Sequence, residues 1–327
     1  MRKLLVTGGC GFIGSHFVAM AERNGHRCLV LDRLTYAGRQ ANLPPGDRVY
    51  ALGGDICSGP LVRDLFTSFE PDAVVHLAAE THVTRSIDSR AEFLRTNVHG
   101  TNTLLEEALR YWEGRGRPAE FRFVHVSTDE VYGSLGAHDA PWTEASPYAP
   151  NNPYAASKAA SDHMVRSYFR TFGLPAVVTH CSNNYGPRQH PEKLIPTLVR
   201  QVMAGEPMTI HGNGQNVRDW LHVDDHCEGL LDALQLGEPG ETYNFGGSCE
   251  LTNLQVARLV HSLMAPCTPP NIVHVTDRPG NDLRYATNTT KAWTDLGWKP
   301  GASISARLAD TIRWYLQNPN YADDYGR

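Results

Sequence analysis

The chain has 327 residues, 41% of them apolar, and a formal net charge of -5, enough apolar material for one large domain or two smaller ones. Lysine and arginine are interspersed with aspartate and glutamate; there is no basic tract to engage nucleic acid and no charge run that reads as a tail, so the expected partners are small molecules. The opening "MRKLLVTGG" is too short an apolar run for a secretory signal and no later stretch approaches a membrane span, which points to a cytoplasmic protein with no membrane partner.

The first strand is expected at "KLLVTG" (3–8), followed by Gly8-x-x-Gly11-x-x-Gly14 and a helix over 12–24. Glycines at this spacing allow a tight turn, close approach of backbone to a pyrophosphate and tight packing of helix on strand, with the helix N-terminus offering N–H groups to phosphate. A glycine pattern alone can be a plain turn, but this one follows a strand, and Asp32 closes the second strand, "RCLVLD" (27–32). A carboxylate there would bond the adenosine ribose and repel a 2′-phosphate, favouring NAD over NADP, with Arg33 beside it as the opposing feature. "GGDICSG" places Asp55 and Ile56 after a further strand, either as partners of adenine or as a surface turn, and a helix follows over 58–69.

Strands continue at "AVVHLAA" (73–79), "FRFVHVST" (121–128) and "PAVVTHCSN" (175–183), separated by helices over 90–111 and 154–172, with "EGRGRPAE" (113–120) as a surface loop. Continuous apolar strands alternating with helices mean a parallel sheet covered on both faces, and right-handed crossovers make it a doubly wound α/β (Rossmann) sheet. Beyond residue 183 proline and glycine become frequent and the elements shorten. The expectation is a second, smaller mixed α/β lobe that holds a ligand against the C-terminal edge of the sheet. No internal repeat or low-complexity segment is present.

Seven cysteines (10, 28, 57, 181, 227, 249, 267) are an odd number and none are spaced Cys-x-x-Cys; neither a disulfide framework nor a zinc site is expected, and most should be buried apolar residues. "HVDDH" presents His222 and His226 one helical turn apart, but with no further ligand in view a helix start capped by an aspartate is the better reading, and no metal is expected.

Two segments carry reaction chemistry. Tyr154 and Lys158 of "YAASK" share a helix face. On an isolated helix they would be an exposed pair; next to a nicotinamide, the ammonium and the positive ring would favour phenolate and make Tyr154 a base for a sugar hydroxyl. Ahead of them "STDEVYGSLG" (127–136) sets Thr128, Asp129 and Glu130 at a strand end, two carboxyl groups more than a dehydrogenase requires.

With "YAPNNPYAASKAASDH", "CSNNYGP", "PEKLIP", "VRDWLHVDDH" and "TDRPGNDLRY", these motifs resemble, in order and over nearly the whole chain, the extended short-chain dehydrogenase/reductase family, and within it most closely the dTDP-glucose 4,6-dehydratase group. Related 4-epimerases and decarboxylases do not usually carry the Asp-Glu pair. The resemblance implies an NAD enzyme acting on a nucleotide sugar: C4 is oxidised with Tyr154 taking the hydroxyl proton, Thr128 bonds the C4 oxygen, Glu130 removes the C5 proton and Asp129 protonates the departing C6 hydroxyl. Hydride return to C6 then gives a 4-keto-6-deoxy sugar. An acidic Asp129 requires a raised pKa, which an apolar setting and a like-charged neighbour supply.

The resemblance also implies a cofactor site built from Gly8, Gly11, Phe12, Ile13, Gly14, Asp32, Thr35, Asp55, Ile56, Leu77, Ala78, Ala79 and Thr96 together with Tyr154 and Lys158. The substrate is expected at Thr81, Thr128, Asn183, Lys193, Arg218, Asn253 and Arg278, where fixed cations and donors suit a diphosphate. Residues 1–183, with return segments at about 217–246, are expected to form the NAD-binding domain, and about 184–216 and 247–327 the nucleotide-sugar domain, in a homodimer. The chain departs from the group at Thr84, Asn281, Arg188 and Gln189. The alternatives are a dehydratase for another nucleotide hexose, a 4-epimerase, or a non-catalytic NAD-binding regulator.

Overall fold

The computed structural model describes residues 1–277 and 280–322. Six strands follow the expected order: β1 (Lys3–Thr7), β2 (Arg27–Asp32), β3 (Val49–Gly53), β4 (Ala73–His76), β5 (Arg122–Thr128) and β6 (Ala176–Cys181). They lie parallel in the spatial order 3-2-1-4-5-6, and a seventh parallel strand, Thr242–Phe245, pairs with β6 at the edge. The order reverses between β1 and β4, which opens a crevice at their C-terminal ends, where doubly wound sheets bind ligands.

β1 and β4 are apolar along nearly their whole length because both faces are covered. On one face Phe17, Val18 and Ala21 of the helix Phe12–Arg23 pack with Leu230, Leu231 and Leu234 of the helix Val223–Leu236. On the other, Val62, Phe66, Leu104, Leu105, Val165 and Tyr168 come from the helices Gly59–Phe69, Thr101–Gly114 and Pro153–Phe172. Ala292, Leu296 and Trp298 join the first of these cores, so the segment around the helix Thr290–Leu296 packs under the large sheet and not with the smaller lobe in which the sequence expectation put it.

The smaller lobe has its own core, with Ile195, Leu198 and Val199 against Trp220, Val256, Val260, Leu308 and Ile312. A three-stranded sheet runs through it, Val217–His222 lying between Glu250–Thr252 and Asn183–Tyr185, beside a two-stranded sheet of Met208–His211 and Ile272–Val275. Among the described residues no helix is long and apolar enough to cross a membrane.

The helix expected over 90–111 runs from Arg90 to Gly114 but is wound as a π-helix over Leu94–Gly100. Hydrophobic periodicity does not report such a widening, which is often found at functional sites.

Candidate active site

The glycine motif folds as the spacing requires. Gly8 takes φ +72°, and a Cβ on it would lie 2.6 Å from the Ala78 nitrogen; one on Gly14 would lie 2.2 Å from the Gly8 carbonyl oxygen. No side chain caps the helix that begins at Phe12, so its first-turn N–H groups face the crevice in the manner of an anion site. Asp32 is buried, and its carboxylate accepts from the Cys10 and Leu34 N–H groups at 2.9 and 2.8 Å. Burial raises its pKa and these two bonds oppose the rise.

Gly8, Gly11, Phe12, Ile13, Gly14, Asp32, Thr35, Asp55, Ile56, Leu77, Ala78, Ala79 and Thr96 all line one cleft, which continues to Thr128, Asp129, Glu130, Tyr154 and Lys158. Thr96, on the π-helical segment, is buried with its hydroxyl unpartnered among the described residues. Asp55 accepts from Arg95 Nη2 at 2.7 Å and the Cys57 N–H at 2.9 Å. Burial works against its ionisation, but these bonds bring its pKa below the ordinary value. Arg33 is bridged to Glu92 and lies 3.7 Å from Asp55, so its charge is already matched.

Thr128 ends β5, and its hydroxyl accepts from the Glu130 N–H at 3.3 Å as the N-cap of a short 3-10 turn, Asp129–Tyr132. The turn carries Asp129 inward. Asp129 is 2% exposed; its Oδ1 accepts from the Thr128 hydroxyl at 3.4 Å, and its Oδ2 has no partner among the described residues. Burial first, then the charges of Glu130 and Asp219, push the Asp129 carboxyl well above its ordinary pKa. Half-buried Glu130 is also raised by burial, against a hydrogen bond from Asn152 and the charges of Arg218 and Lys193.

Pro153–Phe172 presses close to the sheet because its inner face carries Ala155, Ser157 and Ser161 beside Tyr154 and Lys158, all buried. Lys158 Nζ donates to the Val126 carbonyl at 2.9 Å and lies 3.5 Å from His125 Nε2. Burial lowers its pKa to about 8, against the attraction of Asp162. Tyr154 is raised well above 10 by burial, Glu130 and Cys181, with a Thr128 hydrogen bond opposing. With burial, Glu130 and Cys181 all raising it, the chain by itself holds Tyr154 as a phenol, and the lowering expected from Lys158 is not produced by the protein groups alone.

Asn97 and Asn152 were not singled out in the sequence. Asn97 grips Glu80 through N–H and carbonyl at 2.8 and 3.0 Å and donates to Ser157 Oγ at 2.8 Å, tying the loop after β4 to the helix of Tyr154. A single asparagine in a helical stretch carries no signal of that kind.

A second cleft adjoins the first and is lined by Thr81, Asn183, Lys193, Arg218 and Asn253. Asn183 Oδ1 is buried and unpartnered among the described residues, while Arg218 stacks on Tyr285 at 4.4 Å and bonds Asn281 Oδ1 and the Asp282 carbonyl, each at 3.0 Å. Asn281 thus orients the cation expected for a diphosphate. Arg188 bonds the Asn42 carbonyl at 2.9 Å and Gln189 the Asn184 carbonyl at 2.8 Å; Thr84 lies in the short helix Val83–Asp88. Arg278 lies outside the described residues. The "HVDDH" segment does start a helix, but His222 and not an aspartate is the cap, its Nδ1 accepting from the Asp224 N–H at 3.3 Å, and His226 Nδ1 pairs with Asn184 Oδ1 at 2.9 Å. Of the cysteines, Cys10, Cys28, Cys181 and Cys227 are buried.

Comparison with known proteins agrees with this geometry. The family model described as GDP-mannose 4,6 dehydratase matches residues 5–311. The dTDP-glucose 4,6-dehydratase of Xanthomonas campestris pv. campestris is 47% identical over 98% of this chain and 95% of its own. DesIV, a dTDP-glucose 4,6-dehydratase from Streptomyces venezuelae solved with NAD bound, superposes with a TM-score of 0.92 at 45% identity, covering 99% of each chain. The UDP-glucose 4-epimerase of Thermotoga maritima has a TM-score of 0.89 at 29% identity, covering 97% of this chain and 99% of that one. Fold is thus shared with epimerases, whereas identity is higher with dehydratases, and the chain belongs to the GDP-mannose 4,6 dehydratase family of extended short-chain dehydrogenases/reductases, in its dTDP-glucose 4,6-dehydratase branch.

Proposed function

We propose that the chain dehydrates dTDP-glucose to dTDP-4-keto-6-deoxy-glucose, with Thr128, Asp129, Glu130, Tyr154 and Lys158 doing the proton work. The observation that carries this reading is the buried, half-unpartnered Asp129 carboxyl next to Glu130 in the cleft that also holds Tyr154 and Lys158. A 4-epimerase needs no group to protonate a leaving hydroxyl.

The glycine cradle and the unpartnered Thr96 hydroxyl fit a dinucleotide, and Asp32, with Arg33 already matched by Glu92 and Asp55, favours NAD over NADP. When bound, NAD supplies the hydride acceptor for C4, the hydride donor for C6 and a positive ring beside Tyr154. Tyr154 takes the proton of the 4-hydroxyl while Thr128 holds that oxygen. The ketone acidifies C5–H, and Glu130, whose raised pKa makes it the better base, removes that proton. Asp129, kept protonated by burial, gives its proton to the C6 oxygen as water leaves.

The second cleft supports a nucleotide-diphosphate grip: Lys193 and Arg218 as cations, Thr81, Asn183 and Asn253 as polar partners, and Arg278 from its expected position. On this reading the large sheet is the NAD-binding domain, and about 184–222 and 247–327, less the segment around Thr290–Leu296, is the substrate domain; the strand Val217–His222, expected in the NAD-binding domain, goes with the smaller lobe because it is the middle strand of that lobe's sheet. A cytoplasmic homodimer completes the proposal. Incubation with dTDP-glucose, UDP-glucose and UDP-N-acetylglucosamine, each without added NAD, tests it: a 4-keto product from dTDP-glucose is expected. A C4 epimer would replace this reading with the epimerase, and cofactor binding without turnover with a regulator.

A further inference from the structure

Glu130 sits on the turn after β5, while Tyr154 sits on the helix Pro153–Phe172, and one side chain joins them. Asn152 is buried at the N-cap of that helix; its Oδ1 accepts from the Ala155 N–H at 2.9 Å and its Nδ2 donates to Glu130 Oε2 at 3.1 Å. The amide has one workable orientation. Turned over, it would set NH₂ against the Ala155 N–H and its carbonyl against a carboxylate, losing both bonds. The helix cap therefore dictates that a donor faces Glu130.

We infer that Asn152 is a positioning residue that aims the Glu130 carboxylate from the helix bearing Tyr154 and favours its charged form. This rests on the reading of Glu130 as the C5 base. A hydrogen bond to the charged form favours that form, and the amide works among several charges. Asp129 faces Glu130 from the same turn, Tyr154 from the helix and Cys181 from the end of β6. Arg218 and Lys193 attract the carboxylate from the smaller lobe, with Asp282 opposing them and Tyr285 alongside.

Two substitutions separate aiming from capping, because serine and aspartate are N-caps about as good as asparagine. Asn152→Ser keeps the cap and replaces the amide NH₂ that reaches Glu130 with a hydroxyl on a side chain one atom shorter, already engaged in the cap; Asn152→Asp keeps the cap and sets a like charge against Glu130. The ionisation of Glu130 is read in the full-length enzyme as the carboxyl infrared band that Glu130→Gln abolishes, titrated with pH alongside kcat. The band midpoint should rise in Asn152→Ser and by about one pH unit or more in Asn152→Asp, with the acid limb of kcat following and melting temperature and bound NAD held. An unmoved band in both variants overturns the inference, whatever happens to turnover. A band that moves while the kcat limb stays put supports the coupling and removes Glu130 from the role of base.

Discussion

Lys158 Nζ donates to the Val126 carbonyl at 2.9 Å, so the ammonium is anchored to strand β5 immediately before Ser127 and Thr128. Its pKa is lowered to about 8, first by burial. Between that value and the ordinary 10.5 the unfolded chain binds the extra proton, and stability rises with pH across the window. On the proposed mechanism activity moves the other way, since the lysine charge that acts together with the cofactor's positive ring to favour the Tyr154 phenolate is lost. Single-turnover reduction of bound NAD should fall as pH rises through about 8. In Lys158→Met that basic limb should vanish and the rate should drop by about 10²-fold or more. A wild-type rate that stays flat to high pH contradicts the assignment.

On the proposed mechanism Asp129 and Glu130 divide the elimination between them. Glu130→Gln should still reduce bound NAD on mixing with dTDP-glucose, yet fail to exchange C5 hydrogen with deuterated solvent. Asp129→Asn should keep C5 exchange and slow water loss by about 10²- to 10⁴-fold. Rapid-quench analysis of the sugar products separates the two. Equal loss of hydride transfer in both variants would argue against the division of roles.

Behind the lysine lies a buried carboxylate whose task is structural. Asp162 accepts from Ser127 Oγ at 2.9 Å and Tyr148 OH at 3.2 Å, and pairs with His125 and His180, each at 3.1 Å. Asp162→Ala leaves several of these groups unsatisfied and should cost about 3 kcal/mol or more in denaturant unfolding. His125, lowered by burial from 6.5 to about 4, is kept neutral in the fold. Its share of stability is present above pH 6.5 and is lost as pH falls towards 4. Asp162 is held below its ordinary value by His125 and His180, against burial, so its share is fully present above pH 3.8 and is lost only as pH falls below that. Acid unfolding should therefore begin with the histidine.

Gly14→Ala places a Cβ 2.2 Å from the Gly8 carbonyl oxygen, a backbone atom that cannot yield as a side chain would. The purified variant should carry much less NAD than wild type, measured after heat release. Undiminished NAD content would show that the glycine turn does not set the cofactor cradle.

The parallel sheet and the cofactor cleft were legible because each rests on a local pattern: apolar strands between helices, glycines at fixed spacing, Asp32 at a strand end. Tyr154 and Lys158 were legible for the same reason. Asn97 and Asn152 were not, since each acts by joining segments far apart in sequence, Glu80 to Ser157 and Glu130 to Ala155. In "HVDDH" aspartate is the commoner type of cap, whereas the imidazole of His222 takes that place. The packing of Trp298 under the large sheet, its Nε1 donating to the Asp225 carbonyl at 2.9 Å, is a tertiary contact that composition does not foreshadow.

Oxidation at C4 and reduction at C6 are two halves of one turnover, with water lost between them. dTDP-glucose deuterated at C4 tests it in ordinary water without added NAD. The predicted product is dTDP-4-keto-6-deoxy-glucose with the C4 deuterium transferred to C6 and a solvent proton at C5, read by NMR. Deuterium retained at C4 in a galactose-configured product, or a sugar that keeps its C6 oxygen, would contradict it.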